Sequence, residues 1–291
     1  MRFSAKFVKE TFRVFNMKKM VGITMVTPPK RRDINTKQLQ KTKIPQEKRR
    51  VNRSEMITLF PSVSTNKHIF YLHGGGFSLE ASPFHKNIQT YFVNEFGLKV
   101  SYFNYPLAPE NTVSITLDET FQAYKEIVML YPDDHFYLFG DSAGGGLALS
   151  LAQQLRDQNV LHRPQKIVLA SPWLDLTLSN PDIEKIQGND VLLERELLAK
   201  AAKNYAGDFS LKDPRVSPLY GNLDDLKEIF TVVGTDDILF PDVLRLEKRI
   251  EKTEGTKLHL EVVEGMMHDF LVYPLKESKS YLKQIGDFYQ K

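Results

Sequence analysis

The sequence of 291 residues contains no cysteine and no long uninterrupted apolar segment. The absence of cysteine excludes disulfides, thiolate metal sites and a cysteine nucleophile, and it gives no sign of an oxidising compartment. No segment approaches the roughly 20 apolar residues of a membrane span. The first 25 residues do not resemble a signal peptide, because Lys and Arg interrupt their apolar residues. We therefore expect a cytoplasmic protein.

The composition and length are those of a globular protein with a large core. Hydrophobic residues make up 42% of the chain and aromatic residues 11%, and chains of this length occur as one α/β domain. Disordered and fibrous classes are excluded on the same grounds.

Strand-like and helix-like segments alternate from about residue 51 onward, which predicts a mainly parallel sheet covered by helices. The predicted strands lie at 51–59, 68–72, 100–105, 136–139, 166–170, 229–233 and 258–263. The clearest predicted helices lie at 117–130, 144–157, 242–252 and 276–290. The segment 182–213 interrupts this rhythm with a helix pattern over 191–205. We interpret it as an insertion over the carboxyl edge of the sheet, where it would form part of a substrate lid.

Positive charge is concentrated at the N-terminus. Residues 1–53 hold 16 Lys and Arg against three acidic residues, a net charge of +13 in a chain whose total is +3. An apolar stripe predicts an amphipathic basic helix at the start of this segment; it comprises Phe3, Phe7, Val8, Phe12 and Phe15.

Two interpretations of that helix compete. Either its apolar face docks on the body and its charges are solvated, or the helix makes weak contact with an anionic membrane surface. Nucleic acid is not an expected partner, because no aromatic reading motif accompanies the basic residues. Residues 28–50 are polar and interrupted by proline, so we expect a mobile connection or a loose piece of the lid there.

A candidate nucleophile, Ser142, lies in Gly140-Asp-Ser-Ala-Gly144, which fits the G-x-S-x-G pattern. An apolar strand pattern precedes the motif and a helix of small residues follows it. A sharp strand-to-helix turn strains the serine backbone, and the flanking glycines leave room for it. The turn also places the serine at a helix N-terminus, which favours developing negative charge.

A glycine loop, His73-Gly-Gly-Gly-Phe77, directly follows the predicted strand 68–72. Three glycines allow backbone N–H groups to turn towards a ligand, as an oxyanion hole after an early strand requires. A phosphate loop does not fit, because no Gly-Lys-Ser/Thr follows and the spacing of a dinucleotide fingerprint is absent.

A serine nucleophile needs a histidine base and an acid, which follow in the order Ser, acid, His. Of the histidines after Ser142, only His268 lies just past the carboxyl end of a predicted strand; His162 comes too early, and His259 lies within a strand. Asp236 and Asp237 are both eligible as the acid. One would orient the imidazole and the other could cap the helix near Pro241.

Six motifs in order resemble the hormone-sensitive-lipase-like esterases of the α/β-hydrolase fold over about residues 55–275. They are His73-Gly-Gly-Gly-Phe77, Asn104-Tyr-Pro-Leu-Ala-Pro-Glu110, Gly140-Asp-Ser-Ala-Gly-Gly145, Ser171-Pro-Trp-Leu-Asp175, Asp237-Ile-Leu and Met267-His268. The chain departs from that family at Asn104-Tyr-Pro, where Asp-Tyr-Arg is usual, and at Ser114, where proline is usual. An ionic brace beside the site is therefore expected to be missing.

The resemblance implies an α/β-hydrolase fold, with a mainly parallel twisted sheet, helices on both faces and a helical cap. The cap would comprise the basic segment 1–50 and the insertion 182–213, and the hydrolase domain would span 51–291. The family pattern selects Asp237 as the acid. It also implies three oxyanion donors, the N–H groups of Gly75, Gly76 and Ala143.

The expected function is a serine esterase that hydrolyses short-chain carboxylic esters through an acyl-enzyme intermediate. Its partner would be a small-molecule ester, no cofactor or metal is expected, and the protein would be a monomer or a homodimer. An amidase or deacetylase of the same fold is the first alternative. A noncatalytic small-ligand receptor is less favoured, because receptors that resemble this family lose the catalytic histidine, whereas His268 is present.

Overall fold

The computed structural model describes residues 3–29 and 42–291. Its strands are β1 (Gln46–Val51), β2 (Ser54–Leu59), β3 (Lys67–Leu72), β4 (Lys99–Asn104), β5 (His135–Asp141), β6 (Lys166–Ala170), β7 (Lys227–Gly234) and β8 (Thr256–Val263). They form one eight-stranded sheet in the order β1-β2-β4-β3-β5-β6-β7-β8. The pairs β1–β2 and β2–β4 are antiparallel, and all the other pairs are parallel. The predicted mainly parallel sheet is confirmed.

The helices of the described residues are α1 (Ala5–Val14), α2 (Met17–Val26), α3 (Pro83–Phe96), α4 (Val113–Leu130), α5 (Ala143–Asp157), α6 (Ile183–Ile186), α7 (Arg195–Ala206), α8 (Phe240–Ile250) and α9 (Ser278–Gln290). Local signals explain several boundaries. The Ser4 hydroxyl accepts the N–H of Phe7 at 3.4 Å and caps α1. Gly97 ends α3 with a left-handed φ of 62°.

The central strands are buried on both faces, as a parallel sheet covered by helices requires. From Ile69 to Leu72 each residue of β3 is buried, and Phe136 to Asp141 of β5 are buried as well. These continuous apolar segments are the reason that the strand predictions agree with β3, β5 and β6 to within a few residues. The carboxyl ends of β5, β7 and β8 therefore deliver their following loops to one edge of the sheet.

The structure differs from the sequence-based expectation at three elements. β1 begins at Gln46, inside the segment expected to be a mobile connection, and pairs with β2 along its whole length. It is an edge strand whose side chains alternate between exposed and half-buried up to Arg50. Its composition is therefore polar and gives no apolar strand pattern in the sequence. α3 was not predicted, and the helix predicted over 191–205 begins only at Arg195. Residues 30–41 of the expected connection lie outside the described residues.

The N-terminal helix is amphipathic, but only part of the predicted apolar stripe faces the body. Val8 and Phe12 pack against the body, whereas Phe7 is 60% exposed and Phe15 65% exposed. Lys9 faces inward, so not every charge of this helix is solvated. No helix within 3–29 and 42–291 has the length and apolar character needed to cross a membrane.

Candidate active site

Ser142 occupies the sharp turn between β5 and α5. Its backbone has φ 52° and ψ −121°, a left-handed conformation that strains any residue other than glycine by about 1–3 kcal/mol. The close packing around the turn explains its glycines: a Cβ on Gly144 would lie 2.2 Å from the carbonyl oxygen of Leu72. The Ser142 N–H donates to the Ala170 carbonyl at 2.8 Å, which ties the turn to β6.

His268 lies between Ser142 and Asp237. The Ser142 hydroxyl lies 2.9 Å from Nε2 of His268, and Nδ1 of the same ring lies 2.8 Å from Oδ2 of Asp237. All three side chains are buried. When the imidazole is neutral, this geometry allows it to donate from Nδ1 to the carboxylate and to accept the serine proton at Nε2.

The two adjacent aspartates have different environments. Asp237 Oδ1 accepts the N–H of Leu239 at 2.9 Å, so both its oxygens are bound. Asp236 forms an ion pair with Lys9 of α1. The interpretation that one aspartate of this pair caps the following helix is wrong for Asp236, because a partner 227 residues away binds its carboxylate instead.

A third acid, Asp190, supports the loop that carries Asp237. Its Oδ2 accepts the N–H of Ile238 at 3.0 Å, and its Oδ1 accepts the N–H groups of Leu192 and Leu193 at 2.8 Å each. Burial and the nearby charge of Asp237 raise the pKa of Asp190 to about 6. Asp190 thus joins the start of the 182–213 insertion to the Asp237 loop, a role that the sequence pattern did not indicate.

The pKa of His268 reflects opposing effects. Burial lowers it, but the charge of Asp237 and its hydrogen bond outweigh burial, and the charges of Asp269 and Asp190 add to them. The net result is a pKa raised to about 9. Such a histidine is a strong base towards the serine proton once it is neutral.

The glycine loop after β3 lies directly beside Ser142. A Cβ on Gly74 would come within 2.9 Å of the Ser142 Cβ. Gly75 and Gly76 have φ of 118° and 61°, which L residues with side chains rarely adopt. Within the described part of the chain, the N–H groups of Gly75, Gly76 and Ala143 donate to no protein acceptor.

Asp141 holds this glycine loop in place through hydrogen bonds. It accepts the Tyr71 hydroxyl at 2.8 Å and the Gly74 N–H at 2.7 Å. His85 adds a third bond: its Nδ1 accepts the N–H of Ser82, so its Nε2 carries the proton that it donates to Asp141 at 3.0 Å. Asp141 lies inside the G-x-S-x-G motif and could have been found from it, whereas nothing in the sequence pointed to His85.

One group of side chains has the spacing of a metal site. His85, Asp141 and Asp269 offer ligand atoms that lie within 4.8 Å of one another. Hydrogen bonds already use the ligand atoms of His85 and Asp141. Burial and the charge of Asp141 also raise the pKa of Asp269 well above its usual range, which disfavours the ionised form that a metal ligand needs.

The remaining histidines after Ser142 take no part in this arrangement. His162 and His259 are both exposed to solvent.

The segment Asn104-Tyr-Pro supports the glycine loop without an ionic group. The ring of Tyr105 stacks on His73 with centroids 4.4 Å apart, and its hydroxyl donates to the His73 carbonyl at 2.5 Å.

Two helices outside the sheet cover the glycine loop. Met25 of α2 packs on Gly76, since a Cβ there would lie 2.8 Å from its sulfur. Tyr205 of α7 stacks on Phe77 with ring centroids 3.6 Å apart. The two helices also contact each other, because Asn204 donates to the Val26 carbonyl at 3.3 Å.

Comparison with known proteins agrees with this geometry. Residues 69–272 match a family model described as the alpha/beta hydrolase fold. An esterase from Acinetobacter venetianus is 34% identical over 230 residues, which cover 77% of this chain and 75% of the esterase. An acetyl-hydrolase from Streptomyces hygroscopicus is 28% identical over 231 residues, covering 78% of this chain and 77% of the hydrolase.

A solved structure gives the same result in three dimensions. The crystal structure of an esterase from the bacterial hormone-sensitive lipase family superimposes with a TM-score of 0.79 and 26% identity. The match covers 94% of this chain and 89% of that one, so it includes the helices around the sheet as well as the strands.

Proposed function

The chain belongs to the hormone-sensitive-lipase-like esterases of the α/β-hydrolase fold, and from this premise we propose that Ser142, His268 and Asp237 are its catalytic triad. The protein is a carboxylic-ester hydrolase. The observation that carries the proposal is the hydrogen-bonded series from the Ser142 hydroxyl through His268 to Asp237, with distances of 2.9 and 2.8 Å.

The reaction proceeds in two acyl transfers. Ser142 Oγ attacks the ester carbonyl carbon while Nε2 of His268 takes the hydroxyl proton, and Asp237 stabilises the imidazolium that forms. The tetrahedral intermediate then collapses, the C–O bond to the alcohol breaks, and His268 gives its proton to the leaving oxygen. Water attacks the acyl-enzyme by the same steps and releases the acid.

The oxyanion of each tetrahedral intermediate binds the N–H groups of Gly75, Gly76 and Ala143. The lack of acceptors for them among residues 3–29 and 42–291 and the left-handed conformation of the two glycines support this role. The loss of one such donor raises the barrier by about 3–4 kcal/mol in enzymes of this type. The position of Ala143 at the N-terminus of α5 adds the favourable end of the helix dipole.

Ser142→Ala tests the triad. The change removes the nucleophile and keeps a small residue in the turn, so we expect loss of ester hydrolysis with an unchanged thermal melting curve. Hydrolysis of p-nitrophenyl butyrate by the purified variant at the wild-type rate would rule out the mechanism. Such a result would assign the nucleophile to another residue, whereas a wild-type protein without hydrolysis would favour the noncatalytic receptor.

The substrates are short-chain esters in this proposal. Met25 and Tyr205 pack onto the loop that would bind the oxyanion, and we infer that they limit the space for the acyl group. A relative named acetyl-hydrolase acts on small acyl groups according to its name. A series of p-nitrophenyl esters should show the highest kcat/KM at short acyl chains, and a maximum at long chains would contradict the proposal.

Amide hydrolysis remains the alternative chemistry, because the same triad can cleave amides. A direct comparison of p-nitrophenyl acetate with an N-acetyl aryl amine distinguishes the two. We expect the ester to be cleaved and the amide to react far more slowly. Faster amide cleavage would assign the protein to the amidases or deacetylases of this fold.

The N-terminal segment and the 182–213 insertion form the cap in this proposal, with α2 and α7 as its contacting helices.

Exposed apolar side chains support weak contact of the N-terminal segment with an anionic membrane surface; they are Phe3, Phe7, Val14, Phe15, Met20 and Ile23. Co-sedimentation with anionic but not zwitterionic vesicles is expected.

Analytical ultracentrifugation distinguishes monomer from homodimer. Fractionation of cells tests the proposed cytoplasmic location.

A further inference from the structure

One lysine of α1 faces the body of the protein instead of solvent. The Lys9 side chain is only 13% exposed. Its ammonium group donates to Oδ2 of Asp236 and, at 3.0 Å, to the carbonyl oxygen of Gly265. Lys6, the other lysine of α1, is exposed. Lys9 differs from it, since a lysine side chain is rarely covered to this extent unless it has partners.

The two acceptors of Lys9 belong to the two loops that carry the acid and the base. Asp236 directly precedes Asp237 after β7, and Gly265 lies three residues before His268 after β8. Lys9 therefore contacts both loops, which the hydrogen bond between Asp237 and His268 also joins.

The backbone already joins the two loops near this point. The N–H of Asp236 donates to the Met266 carbonyl at 3.0 Å, and the N–H of Gly265 donates to the Thr235 hydroxyl at 2.8 Å. The lysine adds a charged contact to the same two loops.

Other contacts of the first residues, Phe3 to Phe12, reach the chain that follows His268. The N–H of Phe3 donates to the Pro274 carbonyl at 3.2 Å, and the Phe3 carbonyl accepts the N–H of Lys276 at 3.1 Å. Phe12 packs edge-on against Tyr273 with ring centroids 5.3 Å apart. These contacts fix α1 at the position from which Lys9 reaches both loops.

We propose that Lys9 is a positioning residue for the ester hydrolysis, which holds the Asp237 and His268 loops in register through Asp236 and Gly265. The inference rests on the proposed triad. Its physical basis is that a displacement of about 1 Å between catalytic groups can lower a rate up to 100-fold, even when the substituted residue does not touch the substrate. The N-terminal helix thus contributes to turnover as well as covering the site.

Lys9→Met tests this role, because methionine keeps most of the length and apolar contact of the side chain but removes the charge. We expect kcat for p-nitrophenyl butyrate to fall about tenfold, with KM changed less than twofold, since the register of the catalytic groups is affected and not substrate binding. Lys6→Met is the matched control on the exposed face of the same helix, and it should retain wild-type kcat.

Asp236→Asn breaks the same ion pair from the other side and keeps the test valid if Lys9→Met folds poorly. The double variant should lose no more activity than the more affected single variant, because both changes remove one interaction. Losses that multiply in the double variant, a kcat within twofold of wild type in both single variants, or a change confined to KM would each overturn the inference. Ser142→Ala measured alongside separates this failure from failure of the triad, since only the latter leaves that variant active.

Discussion

Asp237→Asn is the substitution that examines the triad most directly. Asparagine has the shape of aspartate, and its carbonyl oxygen can still accept the Leu239 N–H that Asp237 binds at 2.9 Å. The other position changes from an acceptor to an NH₂ donor, and it faces Nδ1 of His268 at 2.8 Å. The fold should therefore persist while the hydrogen bond to the imidazole is reversed.

The reversed hydrogen bond favours the tautomer of His268 that cannot accept the serine proton. Nδ1 must now accept, so the ring proton moves to Nε2, the atom that would otherwise take the Ser142 proton at 2.9 Å. In a serine protease the same change lowers kcat about 10⁴-fold, which corresponds to about 5 kcal/mol of activation free energy. We expect a decrease of that order here, because the distances and burial of the three groups are those of such a triad.

The assay compares kcat for p-nitrophenyl butyrate and the melting temperature in wild type, Asp237→Asn and Asp236→Asn. Asp236 contacts Lys9 and not the imidazole, so its amide variant should lose only about tenfold in kcat. A nearly inactive Asp236→Asn beside a functional Asp237→Asn would refute the assignment of the acid. An Asp237→Asn protein that retains more than a tenth of wild-type kcat would refute the reasoning from the tautomer.

Two further predictions follow from the site. The pKa of His268 is raised to about 9, and only the neutral ring can accept the serine proton, so kcat/KM should increase with pH between 6.5 and 9. A profile whose increase has its midpoint below pH 6 would contradict this. Asp237→Asn should move the midpoint for the residual activity to lower pH. Gly144→Ala should lower the free energy of unfolding by about 1–3 kcal/mol in urea titrations, because the new Cβ would lie 2.2 Å from the Leu72 carbonyl oxygen. Gly188→Ala is the control, since no atom of the described residues other than its chain neighbours lies within 4 Å of its Cβ position. An equal loss in both variants would contradict the argument.

The fold class and the elements nearest the site could be predicted from local patterns. The strand, turn and helix around Ser142 are contiguous, so the apolar segment, the glycines and the small-residue helix all report the same turn. The glycine loop likewise follows β3 without interruption. The order of Ser142, Asp237 and His268 along the chain could also be predicted from the sequence. Their roles stay predictions, which the variants test.

The residues alone left both adjacent aspartates eligible, and the family resemblance selected Asp237; the contact of Asp237 with the imidazole and of Asp236 with Lys9 depends on the tertiary structure. The two carboxylates are neighbours in sequence, and their difference arises from partners 31 and 227 residues away. The same limit applies to α1, where helical periodicity predicted an apolar face but not that Phe7 would be exposed and Lys9 largely covered. Periodicity describes one helix, whereas the surface that covers it is assembled from loops after β7 and β8. Local sequence thus determined the elements and the chemical groups available, and long-range packing determined which groups came within hydrogen-bond distance, because those distances depend on the register of remote segments.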